Sequence, residues 1–307
     1  MTRIGLGTVQ LGVPYGPNQG NGLLSKVEAI GILQNAAALG IFFFDTAAGY
    51  GESEARIGES RISEHFPEVE ISTKLSKVDE AVWKSEVAFE RFAAESIERS
   101  LNLLKLKQVG LLQLHQCDVR FLENKSVIKV LASLIERKMI RQLGVSVYDL
   151  SQAEAALALP FVSALQVPVN ILDQRFLSKS FLGDCAERKV LLIARSILLQ
   201  GVLVDKSELP PVSRRVELDI IKKKAILIAR EANFSSLRDL AIQFIFSNLS
   251  RVIDIGLVGV NCASSLNENV RVIHSRADTV HACVLEKMRE ISELLSSKGL
   301  HDPRNWN

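Results

Sequence analysis

Asp45, Tyr50, Lys74 and His115 place a carboxylate, a phenol, an ammonium and an imidazole in the first half of the chain. Three of them close short apolar runs: IFFFD ends at Asp45, STK at Lys74 and VGLLQLH at His115, while Tyr50 follows in the loop DTAAGYGESE. Each alone has a plain explanation, as a helix-capping Asp, a solvated Lys or a rim His. At successive strand ends they describe a proton donor for a carbonyl group. A phenol of ordinary pKa, about 10, is a weak acid near neutrality. An ammonium beside it favours the phenolate, so Lys74 is expected to lower the Tyr50 pKa and ready the phenol to protonate a developing alkoxide. Asp45 would keep Lys74 charged and oriented. His115 would donate a hydrogen bond to the carbonyl oxygen. Gly49 and Gly51, on either side of Tyr50, are expected to permit tight turns there.

These residues meet only if consecutive strands run parallel and end at one rim. Short runs rich in Val, Ile, Leu and Phe alternate with longer segments of helical period along the whole chain, the pattern of parallel strands with helical crossovers. Strands are predicted at Ile4–Thr8, Ile41–Thr46, Val69–Lys74, Val109–His115, Gln142–Val147, Ala164–Val169, Val190–Arg195 and Ile253–Val260. With no Pro/Gly/Ser-rich linker between halves, this α/β pattern predicts one (β/α)8 barrel domain over residues 1–307, whose chemistry sits at the carboxyl ends of the strands. Ser25 with Glu28, and Ser151 with Glu154, match the capping-box spacing at helix starts. Between Ser85 and Lys107, Phe89, Ala93, Ile97, Leu101 and Leu104 form a buried stripe. Thr279–Lys298 predicts a last helix beyond the eight-fold unit, closed by Gly299, that covers one side of the barrel or shapes the cleft.

Composition narrows the partners. Of 307 residues, 47% are hydrophobic and 23% charged, with a net charge of +2, so no strong field draws nucleic acid or an anionic membrane. The basic residues Arg214, Arg215, Lys222, Lys223 and Lys224 alternate with Glu217 and Asp219 and read as a solvated helix face. The N-terminal MTRIGLGTVQLG lacks signal-peptide features, and no apolar run approaches the ~20 residues of a membrane span. Cys117, Cys185, Cys262 and Cys283 have no metal-site or redox-dithiol spacing, which predicts no metal and a cytoplasmic setting.

DTAAGYGESE, STK and LLQLH, followed in order by GVSVY (Gly144–Tyr148), QVPVNILD (Gln166–Asp173), ARSILLQG (Ala194–Gly201) and LNEN (Leu266–Asn269), resemble the aldo-keto reductases over essentially the whole chain. The resemblance implies a catalytic tetrad of Asp45, Tyr50, Lys74 and His115, with Tyr50 as general acid. It also implies a nicotinamide cofactor held by Ser146 and Gln166 at the carboxamide, by Gly201 and its preceding loop along the pyrophosphate, and by Glu268 and Asn269 at the adenine. The substrate it implies is a small aldehyde, ketone or sugar-like alcohol. Gly5-Leu6-Gly7 opens no helix and reads as a bend in the first strand rather than a dinucleotide fingerprint.

The chain departs from the family pattern in four places. Val147 follows Ser146 where Asn is common; Arg195, a cofactor-binding candidate whose guanidinium plane can stack on the nicotinamide, stands where many members have an aromatic ring; Ile197 replaces a proline. From Gly259 to Asn269 there is no Lys or Arg for an adenosine 2′-phosphate, and Arg271 lies just beyond. The family implies NADP(H); the missing cation leaves NAD(H) as the alternative. Two other functions fit the same barrel: a cofactor-binding regulatory protein with little turnover, and an isomerase or aldolase with a Schiff base on Lys74. Trp83 and the loop Tyr15–Gly22 are candidate cleft walls, and Cys117 a candidate reactive thiol.

Overall fold

Parallel strands need a crossover of about a dozen residues or more, and helices supply it between the apolar runs. The computed structural model describes residues 1–16, 22–115, 118–209, 212–275 and 280–306. Eight parallel strands close into a barrel in sequence order: β1 (Arg3–Gly7), β2 (Phe43–Asp45), β3 (Glu70–Leu75), β4 (Val109–His115), β5 (Ile140–Ser146), β6 (Val162–Pro168), β7 (Leu191–Arg195) and β8 (Ile255–Gly259). Pairing of β1 with β8, from Arg3 opposite Ile255 to Gly7 opposite Gly259, completes the ring. The predicted (β/α)8 barrel is therefore present.

Side chains alternate between the two faces of a strand, so residues two apart point the same way. Phe43, Leu111, Ala164, Ile193, Ile255 and Leu257 form one apolar cluster, and Asp45, Gln113, Gln166 and Arg195 follow two residues later on four of the same strands. The apolar layer is a floor beneath a polar rim. Gly5 leaves room for it, because a Cβ there would lie 2.7 Å from Leu257.

β2 is shorter than the predicted Ile41–Thr46. Ile41 instead donates its N–H to Ala36 and helps end the preceding helix, Lys26–Ala38, beside Gly40 with φ +81°. That helix begins with the predicted capping box of Ser25 and Glu28. The second box does not form. Asp149 caps the helix Leu150–Leu157 by accepting from the Gln152 N–H, and Ser151, already inside the first turn, donates to Asp149. The helix Glu86–Leu104 buries Phe89, Ala93, Ile97 and Leu104, with Leu101 half-buried against the core.

A last helix, Ala282–Ser297, precedes Gly299 at φ +68°. The chain then folds back and buries Trp306, whose indole N–H donates to the Leu300 carbonyl at 2.8 Å. Among the described residues no helix is long and apolar enough to cross a membrane.

Candidate active site

β2, β3 and β4 end at the same rim and bring Asp45, Lys74 and His115 together. Tyr50 reaches them from the loop after β2. That loop rests backbone to backbone on the segment after β1: the Glu52 N–H donates to the Gly12 carbonyl at 3.2 Å. A Cβ at Gly12 would stand 1.8 Å from the Tyr50 carbonyl, and one at Gly51, where φ is +54°, would stand 2.4 Å from the Gly12 carbonyl. Gly51 thus supplies the predicted turn, whereas Gly49 faces open space and has no positive φ.

Lys74 and Asp45 form a buried ion pair, Nζ to Oδ2 2.6 Å, and Lys74 also donates to the Thr46 carbonyl at 2.8 Å. The second carboxylate oxygen of Asp45 accepts from Gln113 Nε2 at 3.0 Å and from Gln166 Nε2 at 2.8 Å. Gln113 also donates to Ser72 Oγ at 2.7 Å. The charges are thus paired and hydrogen-bonded, as burial requires. Lys74 Nζ lies 5.1 Å from the centre of the Tyr50 ring. The Tyr50 and His115 rings meet edge to face with centres 6.0 Å apart.

This arrangement reverses one expectation from the sequence. The Tyr50 pKa is raised above the usual phenol value, first by burial and then by the Asp45 carboxylate. The Lys74 ammonium is paired with Asp45 and the Thr46 carbonyl, so the carboxylate offsets its charge at the phenol. Lys74 itself is pushed down by burial, against the pull of Asp45. His115 is pushed down to about 3 by burial, then by Lys74 and Arg195, so its ring is neutral at pH 7.

Asp45, Tyr50 and His115 open into a cleft of about 320 Å³ that also takes in Ser146, Gln166, Arg195, Gly201 and Asn269. A model of the aldo/keto reductase family matches residues 3–289. The chain belongs to the aldo-keto reductase family. It is 28% identical over 213 residues to the aldo-keto reductase YhdN of Bacillus subtilis, covering 67% of this chain but only 61% of that relative's length. L-galactose dehydrogenase of Arabidopsis thaliana is 26% identical over 288 residues, 89% of this chain and 84% of the relative. In fold this chain is similar to the holo form of aldo-keto reductase AKR11C1 from Bacillus halodurans, with a TM-score of 0.72, 20% identity and coverage of 94% and 91% of the two chains. Glycerol dehydrogenase AKR11B4 of Gluconobacter oxydans gives a TM-score of 0.68 at 20% identity, covering 98% and 93%.

In this member of the family, Gln166 is joined to the Asp45–Lys74 pair: it donates to Asp45 and accepts from Ser146 Oγ at 3.4 Å. Arg195 lies over the Tyr148 ring, 4.2 Å from its centre, and donates to the Val147 carbonyl at 3.0 Å, while its buried Nε has no partner. Ile197 is buried at the start of a turn in which Ser196, Leu199, Gln200 and Gly201 all have positive φ. Lys222 holds the chain beyond that turn by donating to the Val204 and Ser207 carbonyls, so part of the predicted solvated basic face is internal. Asn269 is buried in the cleft wall, whereas Glu268 does not line the cleft and is exposed, paired with Arg238.

Tyr15 and Gly16 border the cleft as predicted for their loop; residues 17–21 of that loop lie outside the described residues, as does Cys117. Trp83 is buried, packs against Phe121 with ring centres 5.9 Å apart, and lines a small side cavity next to His115. The sequence reading missed Ser72 and Gln113, although strand alternation marks both: each stands two residues before a rim residue, Lys74 or His115. It also missed Tyr148, Arg238 and Arg304, whose place depends on distant parts of the chain.

Proposed function

We propose that this chain is an NAD(P)(H)-dependent oxidoreductase that reduces an aldehyde or ketone, or oxidises the corresponding alcohol, with Tyr50 as general acid and base. The observation that carries the reading is the buried Lys74–Asp45 pair at 2.6 Å with Tyr50 and His115 together at the mouth of one cleft. The cleft suits a nicotinamide dinucleotide: Gln10 Oε1 and Arg195 Nε are buried there without partners, and Ser146, Gln166 and Asn269 add hydrogen-bonding groups. Ser146 and Gln166 would hold the carboxamide, with Asn269 toward the adenine. When bound, the nicotinamide supplies or accepts the hydride.

The protein supplies the proton and the geometry. Neutral His115 donates a hydrogen bond to the carbonyl oxygen and fixes it beside the Tyr50 hydroxyl. As negative charge develops on that oxygen, Tyr50 transfers its proton to it, a step typically worth about 10²–10⁴-fold. Burial and Asp45 raise the Tyr50 pKa, so the phenol stays protonated but is a weaker acid, and its proton transfer depends on the negative charge that develops on the oxygen held by His115. Asp45, fixed by Gln113 and Gln166, anchors Lys74 beneath the ring and so holds the phenol in place. Polyols and sugars are the substrate class suggested by the relatives named L-galactose dehydrogenase and glycerol dehydrogenase.

The experiment is to follow oxidation of NADPH and NADH by the purified protein with a reactive aromatic aldehyde, and reduction of NADP⁺ and NAD⁺ with a panel of sugars and polyols. Turnover in either direction is expected. Cofactor binding without turnover on any substrate would favour the regulatory function.

A further inference from the structure

The segment Gly259–Asn269 contains no Lys or Arg, yet the cleft it borders has a cation at that end. Arg238 comes from the helix Leu237–Gln243, just ahead of β8, and lines the cleft with Asn261, Ser265 and Asn269. Its side chain is 17% exposed. The guanidinium donates to Glu268 Oε2 and, more weakly, to Asp239 Oδ1 at 3.4 Å from both Nε and Nη2. Five N–H donors on one planar fork leave hydrogens free for a further acceptor.

Two carboxylates already touch Arg238, so an incoming anion has to take the place of the exposed one, Glu268. Glu268 is held below the usual carboxylate range, first by its hydrogen bond to Arg238 and, at longer range, by Arg271 and Lys206. Arg271 borders a separate depression beside Cys283 and Lys287, not the cleft. Among the described residues, Arg195 and Arg238 are the cations that line the cleft, and Arg195 is at the Tyr148 end. The Glu268 side chain is 53% exposed, so giving up its pair with Arg238 loses little.

We propose that Arg238 binds the adenosine 2′-phosphate, so that this chain selects NADP(H) through the helix ahead of β8 instead of the segment after it. The inference rests on the cofactor reading of the cleft. The guanidinium fork offers paired N–H donors to phosphate oxygens, and the Ser265 hydroxyl on the same wall offers another. NAD(H) presents a neutral hydroxyl in place of the phosphate and gains little from the same fork.

The test is calorimetric titration of NADPH and NADH into wild type, Arg238→Gln, Arg238→Lys and Glu268→Gln, with melting temperatures to verify folding. Wild type should bind NADPH at least about tenfold tighter than NADH, and Arg238→Gln should weaken NADPH by about 10- to 100-fold with NADH within about threefold. Arg238→Lys should keep part of the preference, and Glu268→Gln should raise the NADPH-to-NADH affinity ratio. Equal binding of the two cofactors by wild type, or an equal loss of both in Arg238→Gln, overturns the assignment of Arg238 and leaves the cofactor reading intact. Failure of wild type to bind either nucleotide overturns that reading and this inference together.

Discussion

His115 is the side chain in the cleft whose charge would matter most near neutral pH, and burial beside Lys74 holds its pKa down to about 3. In the proposed reaction a neutral imidazole would donate a hydrogen bond without competing with Tyr50 for the role of acid. The kcat/KM profile for carbonyl reduction should therefore show no inflection near 6.5, the ordinary His value. The same shift acts on stability. Below the ordinary value the unfolded chain takes up the proton and the folded chain does not, so the contribution is complete above about 6.5 and is lost as pH falls toward 3. Between pH 7 and 5 wild type should lose on the order of 2 kcal/mol more than His115→Asn, read from urea midpoints. Equal losses would show that His115 titrates normally in the fold. Asp45, Tyr50, Lys74 and His115 were legible in sequence because each stands at or just after the end of an apolar strand. Their pKa values were not, since the net effect on Tyr50 depends on Lys74 being held by Asp45.

The loop that delivers Tyr50 depends on two glycines that allow its backbone to touch that of the loop after β1. Gly12→Ala would push a methyl group into the Tyr50 carbonyl, 1.8 Å away. Displacing a reacting group by about 1 Å costs on the order of 10²-fold in rate, so Gly12→Ala should lower kcat by roughly that factor. Steady-state kinetics with a parallel melting curve measures this. Unchanged kcat would show that the contact between the loops does not set the position of Tyr50. At this scale the sequence showed the eight strands well, because periodicity marks element type, but it misplaced some ends. β2 lost Ile41 to the end of the preceding helix, and Asp149 displaced Ser151 as a cap. Such ends depend on which of several neighbouring groups reaches a free N–H or C=O first.

The segment that follows the helix Ala282–Ser297 reaches the cleft. Trp306 is buried, its carbonyl accepts from Ser213 Oγ at 3.0 Å, and Arg304 lies 3.8 Å from the centre of the Tyr148 ring on the cleft wall. The extension beyond the eight-fold unit thus reaches the cleft, which no local pattern in the sequence could show. Trp306→Ala should destabilise the fold by about 3–5 kcal/mol, as expected for a buried Trp, in equilibrium urea unfolding. A loss below about 1 kcal/mol would mean that the tail is not packed as described. The proposed reduction requires that Tyr50 move the proton. The most direct test is single-turnover reduction of an aldehyde by the NADPH-loaded protein, wild type against Tyr50→Phe, with the NADPH dissociation constant measured for both. Tyr50→Phe should bind NADPH within about threefold of wild type and transfer hydride at least about 10²-fold more slowly. Equal single-turnover rates would contradict the assignment of Tyr50 as the acid.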